Sequence, residues 1–354
     1  MSEKLIYGIQ QIGVGVDDAD KAFEWYATRL GSDVMVFDDS NTATYMAPYM
    51  GGQHREKRAI LAMNMQGGSG YELWQHTGRT PLKASPELRI GDLGINIAKV
   101  KSRNIQQSFD RLRAQNVTML SGITAAPDGR KSFFISDPFG NILQIMELNS
   151  WYAASGKDVG GQFGAIIGVS DIDKSMSLYA DILGYKNVVY DKSGRFDDLD
   201  LLPGGREDFR RVLLAHDNNR VGGFSKLFGD SQIELVQRRS PTLPRRLFEG
   251  RFWGDIGYIH LCFDIHNMTD LVAECAEKGY PFTVLSQPDF NMGDANGHWG
   301  YLEDNDGTLI EFVQTHKVPL IKKLGLNINL TNRDPNKPLP NWLIKAMAIK
   351  RVKF

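Results

Sequence analysis

Cysteine is scarce. Cys262 and Cys275 are the only two in 354 residues, too few for a disulfide framework. Long apolar runs are missing as well. No stretch approaches the ~20 residues of a membrane helix, and Met1-Ser-Glu-Lys-Leu5 holds no apolar run of signal-peptide length. Neither sign of charge dominates. The 41 basic and 42 acidic residues leave a formal net charge of −1, which offers no basic surface to nucleic acid or acidic lipid. Gly67-Gly-Ser-Gly70 lacks the strand-to-helix setting of a phosphate loop. These absences leave a cytoplasmic, two-domain chain of ordinary apolar and charged content, with a small molecule as its expected partner.

What is present is a repeat. Ile9–Val16 reads as a strand, Asp17-Asp18 as a helix N-cap, and Lys21–Leu30 as a helix with Ala22, Phe23, Tyr26 and Leu30 on one face, closed by Gly31. Strand-like runs follow at Val34–Phe37, Arg58–Met65 and Tyr71–Gln75. Ala165–Gly184 repeats the opening: Gly-Val, an acidic cap, Asp-Lys, a helix bearing Tyr, then Leu-Gly. Tyr71-Glu-Leu-Trp-Gln75 returns as Ile233-Glu-Leu-Val-Gln237. Between these copies, Gly91-Asp-Leu-Gly94 returns as Gly254-Asp-Ile-Gly257, and Asp137-Pro-Phe-Gly140 as Asp304-Asn-Asp-Gly307, with helices over Ile105–Ala114 and Thr269–Lys278. The pattern predicts an α+β chain of four strand-helix-three-strand units, a duplication of a duplication. Neighbouring units are expected to pair into domains at 1–150 and 151–318. Residues 319–354 form a proline-punctuated tail with a short basic helix around Trp342, docked on the body or on a second subunit; monomer and homodimer both fit.

Two strands carry the clearest chemistry. In Gly254–Ile265, alternation puts Ile259, Leu261, Phe263 and Ile265 on one face, so His260 takes the other together with Cys262. Past the Asp304-Asn-Asp-Gly307 turn, Ile310 and Phe312 take one face and Glu311 the other. An imidazole and a carboxylate on two strands of one curved sheet make half of a divalent-metal site.

The tandem units, each with a hydrophobic strand and an Asp-capped helix ending in Leu-Gly, resemble the vicinal oxygen chelate superfamily of glyoxalases, epimerases, bleomycin-resistance proteins and extradiol dioxygenases, over residues 5–316. The resemblance implies incomplete barrels formed by paired units, each barrel offering up to four ligand positions. In the C-terminal half these fall on Gly164, Glu234, His260 and Glu311; in the N-terminal half on Gln11, Glu72, Ile97 and Gln144. The latter set has no histidine and is expected to be degenerate. The former implies one divalent ion (Zn, Ni, Mn or Fe) on His260, Glu311 and Glu234, with Glu234 as either a ligand or the general base. Arg238, Arg239, His298, Trp299 and Tyr301 are candidate substrate-facing residues. The stretch from Tyr301 to Glu311 is similar to the extradiol signature, but Asn305 replaces its proline and a histidine is missing. The implied activity is therefore enolate chemistry of the glyoxalase or epimerase type. An Fe(II) extradiol dioxygenase and a metal-free binding protein are the alternatives. His76 and His316 lie just past their strands, and His54, His216 and His266 have no partner pattern.

Overall fold

A computed structural model describes residues 4–216, 221–241, 243–292, 295–321 and 326–354. Unit 1 runs β1 (Leu5–Val16), α1 (Ala19–Leu30), β2 (Val34–Thr42), β3 (Glu56–Met63) and β4 (Gly70–His76). Unit 2 runs β5 (Gly94–Ser102), α2 (Ile105–Ala114), the short β6 (Thr118–Met119) and β7 (Thr124–Ala125), then β8 (Lys131–Ser136) and β9 (Ile142–Glu147). Unit 3 opens with β10 (Val159–Gly168) and α3 (Ile172–Met176), which continues as a π-helical turn over Ser177–Ile182. It then holds β11 (Asn187–Gly194), β12 (Phe209–Ala215), α4 (Ser225–Phe228) and β13 (Gln232–Arg238). Unit 4 holds β14 (Gly257–His266), α5 (Met268–Glu277), β15 (Val284–Leu285), β16 (Phe290–Met292), β17 (Ala295–Glu303) and β18 (Leu309–Ile321). The tail adds β19 (Leu326–Asn329) and α6 (Asn341–Ala346).

The repeated phrases have local causes. The Asp18 and Asp171 side chains accept the backbone N–H of Lys21 and Lys174, capping the two helices. Gly31 (φ 72°) and Gly184 (φ 77°) end them in the left-handed region that glycine tolerates best. The helix tyrosines donate to the turn aspartates of the following unit, Tyr26 to Asp137 and Tyr179 to Asp304, each at 2.9 Å. The Gly-Asp-x-Gly phrases exist because Gly15 and Gly168 lie directly against the carbonyls of Asp255 and Asp92, where a Cβ would come within 1.9 Å.

The four units form two curled half-barrel sheets, but they do not pair as neighbours. The first sheet runs β15-β17-β18-β14-β1-β4-β3-β2, and the second β11-β12-β13-β10-β5-β9-β8-β6. Unit 1 therefore joins unit 4, and unit 2 joins unit 3, which corrects the expected cups within 1–150 and within 151–318. Side-chain volume accounts for the choice. The seam of the first sheet sets β1 antiparallel to β14, with Gly13 opposite His260. The seam of the second sets β10 against β5, with Ile166 opposite Ile97. A glycine leaves room for an imidazole across the strand pair. Pairing neighbours instead would press His260 against Ile166 and leave Gly13 facing Ile97 with a gap.

One hydrophobic core lies between the convex faces of the two sheets and encloses the helices. It includes Ile12, Phe23, Tyr26 and Leu73 from unit 1, Phe133 and Ile145 from unit 2, Tyr179 and Leu235 from unit 3, and Leu261, Phe263 and Phe312 from unit 4. The tail docks on the body. β19 pairs with β18, Val352 N–H donates to Asp33 O at 2.9 Å, and Ile344 and Met347 pack with Val34, Val36 and Phe228. Among the described residues no helix is long and apolar enough to cross a membrane.

This crossed pairing makes a direct prediction. Residues 1–154 and 155–354, expressed separately, each carry half of both sheets, with open strand edges at β1 and β5 in the first and at β10 and β14 in the second. Neither fragment should bind metal alone. Co-expressed, they should associate and bind it, as read by co-purification and elemental analysis. Metal retention by the 155–354 fragment alone would contradict the pairing.

Candidate metal centre

Strand alternation at the seam of the first sheet builds the site. On β1, Ile12 and Val14 enter the core, so Gln11 and Gly13 face the concave side; on β4, Tyr71 and Leu73 enter the core and Glu72 faces the concave side. His260 and Glu311 face it from β14 and β18 by the same rule. His260 Nε2 lies 3.2 Å from Glu72 Oε2 and 3.0 Å from Glu311 Oε2. Gln11 Nε2 donates to Glu72 Oε2 at 3.2 Å. Glu72, His260 and Glu311 place one donor atom each within 4.8 Å of one another.

This donor set fits a divalent ion. Nitrogen and oxygen ligands ~2.1 Å from a common ion lie roughly 3 Å apart when at right angles, the spacing seen here. His260 Nε2 and Glu311 Oε2 are buried without a hydrogen bond of acceptable geometry, although they lie close together. Two polar atoms in that condition are costly unless something else satisfies them. Burial alone would lower the pKa of His260; Glu311 and then Glu72 outweigh it and push the imidazole up to about 9. Burial alone would raise Glu72, and the His260 contact holds it below the usual carboxylate range. The same two carboxylates that favour a proton on the imidazole would favour a divalent cation, so uptake of metal would compete with protonation of His260.

The surrounding shell fixes the imidazole. Tyr301 Oη lies 3.4 Å from His260 Nδ1, and the Trp253 ring stacks on the imidazole with centroids 6.5 Å apart. Opposite, Gly13 has no side chain; a Cβ there would fall 2.4 Å from His260 Cε1. Cys262 lies on the same floor, its thiol pushed far above its ordinary pKa by burial, so it stays neutral. Above the cluster opens a cavity of ≈ 170 Å³ whose lining includes Glu72, Glu311, Trp253, Trp299 and Tyr301.

The structure brings His260 and Glu311 together as the strand pattern implied, but it joins them to Glu72 and Gln11 rather than to Glu234. Glu234 lies in the second sheet. Its Oε2 is 2.6 Å from Lys99 Nζ, its Oε1 is 2.7 Å from Arg211 Nε, and Arg211 also holds Asp198 at 2.7 Å. Burial alone would raise the carboxyl of Glu234; Arg211 and then Lys99 overcome this and hold it at about 2. Two fixed cations neutralise this carboxylate, and Ile97, Ile166, Leu199, Leu202 and Phe209 fill the cup around them. Glu234 is therefore neither a ligand nor a base of the His260 site.

Arg238 and Arg239 also belong to the second sheet. Arg238 is buried, 3.2 Å from Asp92, and Arg239 is exposed with its N–H on Asp208 O. Neither reaches the cavity, because β13 joins unit 2 and not unit 4. Trp299 and Tyr301 line the cavity, while His298 alternates to the other face of β17, beside Gln314. The glycine-rich 291–300 segment forms the β16–β17 hairpin; residues 293 and 294 lie outside the described residues. Glu72 and Gln11 stand at ligand positions in the sequence, in the set expected to be degenerate because it holds no histidine; the crossed pairing supplies that histidine from β14. The overlooked signal was Gly13, the one small residue able to face an imidazole.

Two curled sheets of crossed strand-helix-three-strand units, with one cup built around a His and two Glu, define the class. A family model described as "Glyoxalase/Bleomycin resistance protein/Dioxygenase superfamily" matches residues 8–145 and 162–312, and the chain belongs to that superfamily. Among solved structures, a "putative dioxygenase" from Bacillus subtilis subsp. subtilis str. 168 is 17% identical, with a TM-score of 0.56 over 88% of this chain and 86% of that one. Glyoxalase I from Zea mays is 13% identical, with a TM-score of 0.55 over 88% and 92%. At these identities the likeness establishes the fold. No curated protein matches the chain.

Gly13→Ala drives a methyl group into the imidazole and should cost most of the bound metal while the fold survives, read by elemental analysis alongside circular dichroism. Glu234→Gln removes the charge that balances buried Lys99 and Arg211. It should destabilise the protein by about 3–5 kcal/mol at pH 7 in denaturant titrations without changing metal content. The sign with pH follows from the depressed pKa. The carboxylate contributes fully above its ordinary value of 4.5 and loses its contribution as pH falls through about 2, so wild type and variant should converge in acid.

Proposed function

We propose that the chain is a metal-dependent enzyme of the glyoxalase type, acting on a small molecule with two adjacent oxygens by moving a proton at the carbon next to a carbonyl. One observation carries this proposal: Glu72, His260 and Glu311 converge from three strands beside a cavity, and Gln11 from a fourth strand donates to Glu72. Glu72, His260 and Glu311 would hold the ion, with the Gln11 amide hydrogen-bonding Glu72 beside it. When bound, a divalent ion withdraws electrons from a carbonyl and steadies the negative charge that develops on its oxygen.

The chain supplies the rest. Two carboxylates face the site, and their tethering differs. Glu72 Oε2 accepts from Gln11, whereas Glu311 Oε2 has no hydrogen bond of acceptable geometry although it lies 3.0 Å from His260 Nε2. Glu311 is accordingly the base that takes the proton from carbon and returns it to the neighbouring carbon, with no net change in protons or electrons. His260, clamped between Tyr301 and Trp253, holds its orientation while this happens. Trp253 and Trp299 narrow the cavity and limit water at the reacting carbon. One imidazole, two carboxylates and an amide do not make the two-His-one-carboxylate set of a ring-cleaving iron site, so the donor chemistry favours proton transfer over oxygen chemistry.

Protein purified without chelator should carry about one divalent ion per chain, and His260→Ala and Glu72→Gln should lose it. Exchange of the carbon-bound protons of hydroxyacetone and of 2-hydroxyacetophenone with D2O, followed by NMR, should exceed the solvent rate for at least one of the two and fall at least about 100-fold in Glu311→Gln. Equal metal in wild type and variants would remove the site from consideration. Bound metal with no exchange beyond the solvent rate would leave a binding protein in place of an enzyme.

A further inference from the structure

The walls above the donor cluster are more specific than its floor. Tyr45, Phe290 and Trp299 pack edge to face, with Tyr45–Phe290 and Phe290–Trp299 centroids each 5.5 Å apart and Tyr45–Trp299 5.4 Å apart. Three rings that lock one another make a stiff apolar wall. The facing wall comes from elsewhere in the chain: Phe224, Leu227 and Phe228 of unit 3 and Met347 of the tail. The two paired units therefore supply the donors and the aromatic wall, and parts outside that pair complete the lining.

Charge in the lining is sparse and already balanced. Besides Glu72 and Glu311, the charged residues among the described lining are Asp39 and Lys57, and these bond to each other at 3.2 Å. The described lining includes no arginine. A substrate carrying a distant carboxylate or phosphate would have to bury that charge without a free cation to meet it, which is unfavourable. A cavity of ≈ 170 Å³ is slightly larger than an apolar void of about 150 Å³ known to take benzene. A single ring fits within it.

We infer that the substrate is an uncharged, single-ring aromatic compound bearing two adjacent oxygens, such as an aryl α-hydroxy ketone or α-ketoaldehyde. The oxygens reach the Gln11–Glu72–His260–Glu311 floor and the ring lies between the Trp299 cluster and Phe228. Acidic peptide conjugates and nucleotide-bearing thioesters are disfavoured, because the described lining offers no free cation to meet their charge. This inference rests on the metal-dependent reading above and adds the substrate class to it.

Three hydroxamates separate the contributions, because they share the same pair of oxygens. Acetohydroxamate, benzohydroxamate and 4-carboxybenzohydroxamate are titrated calorimetrically into the full chain carrying its divalent ion, with metal content measured on the same samples. Benzohydroxamate should bind at least about tenfold tighter than acetohydroxamate, and the added carboxylate should cancel that gain. Trp299→Ala should remove the preference for the ring while leaving the acetohydroxamate affinity in place. Phe290→Leu, a milder change to the same wall, should reduce the preference in the same direction. Equal affinity for the methyl and phenyl probes, or tightest binding of the carboxylated one, overturns the aromatic, uncharged class while the metal site stands. Failure of metal-loaded protein to bind any of the three overturns the class together with chelation. Absence of metal from the protein brings down the metal-dependent reading and this inference together.

Discussion

The site depends on one contact across a strand pair, the imidazole of His260 lying over the bare backbone of Gly13. A ring of that size on the concave face of a curved sheet needs an empty position opposite it, and β1 provides one. From there the geometry follows. β4, parallel to β1, brings Glu72 level with Gly13, and β18, parallel to β14, sets Glu311 opposite Cys262, two residues beyond His260. Three donors then meet because two parallel pairs flank one antiparallel seam.

The second sheet repeats the seam with different contents, and the contrast is instructive. Ile166 and Ile97 replace Gly13 and His260, Gly164 replaces Gln11, and Gln144 replaces Glu311. One carboxylate, Glu234, survives, but Lys99 and Arg211 neutralise it from within the protein. The same backbone thus supports an open cup with converging donors on one side and a filled one with an internal salt-bridge cluster on the other. A fold shared by several chemistries behaves in this way: the scaffold sets positions and a few side chains decide what they do.

The parts that close the open cup come from far along the chain. Trp253 belongs to the connection between units 3 and 4, Phe228 to unit 3, and Met347 to the tail. Each is an exposed apolar liability unless packed, and each is packed by forming the cavity wall. Connections and tail that look like spacers in the sequence therefore act as walls of the site.

Much of this was legible from residues alone. Alternation along Tyr258–Ile265 and Leu309–Phe312 aimed His260 and Glu311 at one face, and the repeated phrases revealed four units, because strand periodicity and turn chemistry are local properties. Glu72 and Gln11 could be read as ligand positions for the same reason. What local pattern could not decide was which unit faces which. Strand edges offer the same backbone hydrogen bonds to any partner, so the pattern alone favours pairing of neighbours in sequence, which places Glu234, Arg238 and Arg239 in the cup of His260. Only the folded molecule settled that choice, through the fit of a glycine to a histidine and of one isoleucine to another. The sequence by itself determined the units, their faces and the donors each could offer; the tertiary structure alone decided which donors share a centre, because that depends on side-chain volumes meeting across a seam some 250 residues apart in the chain.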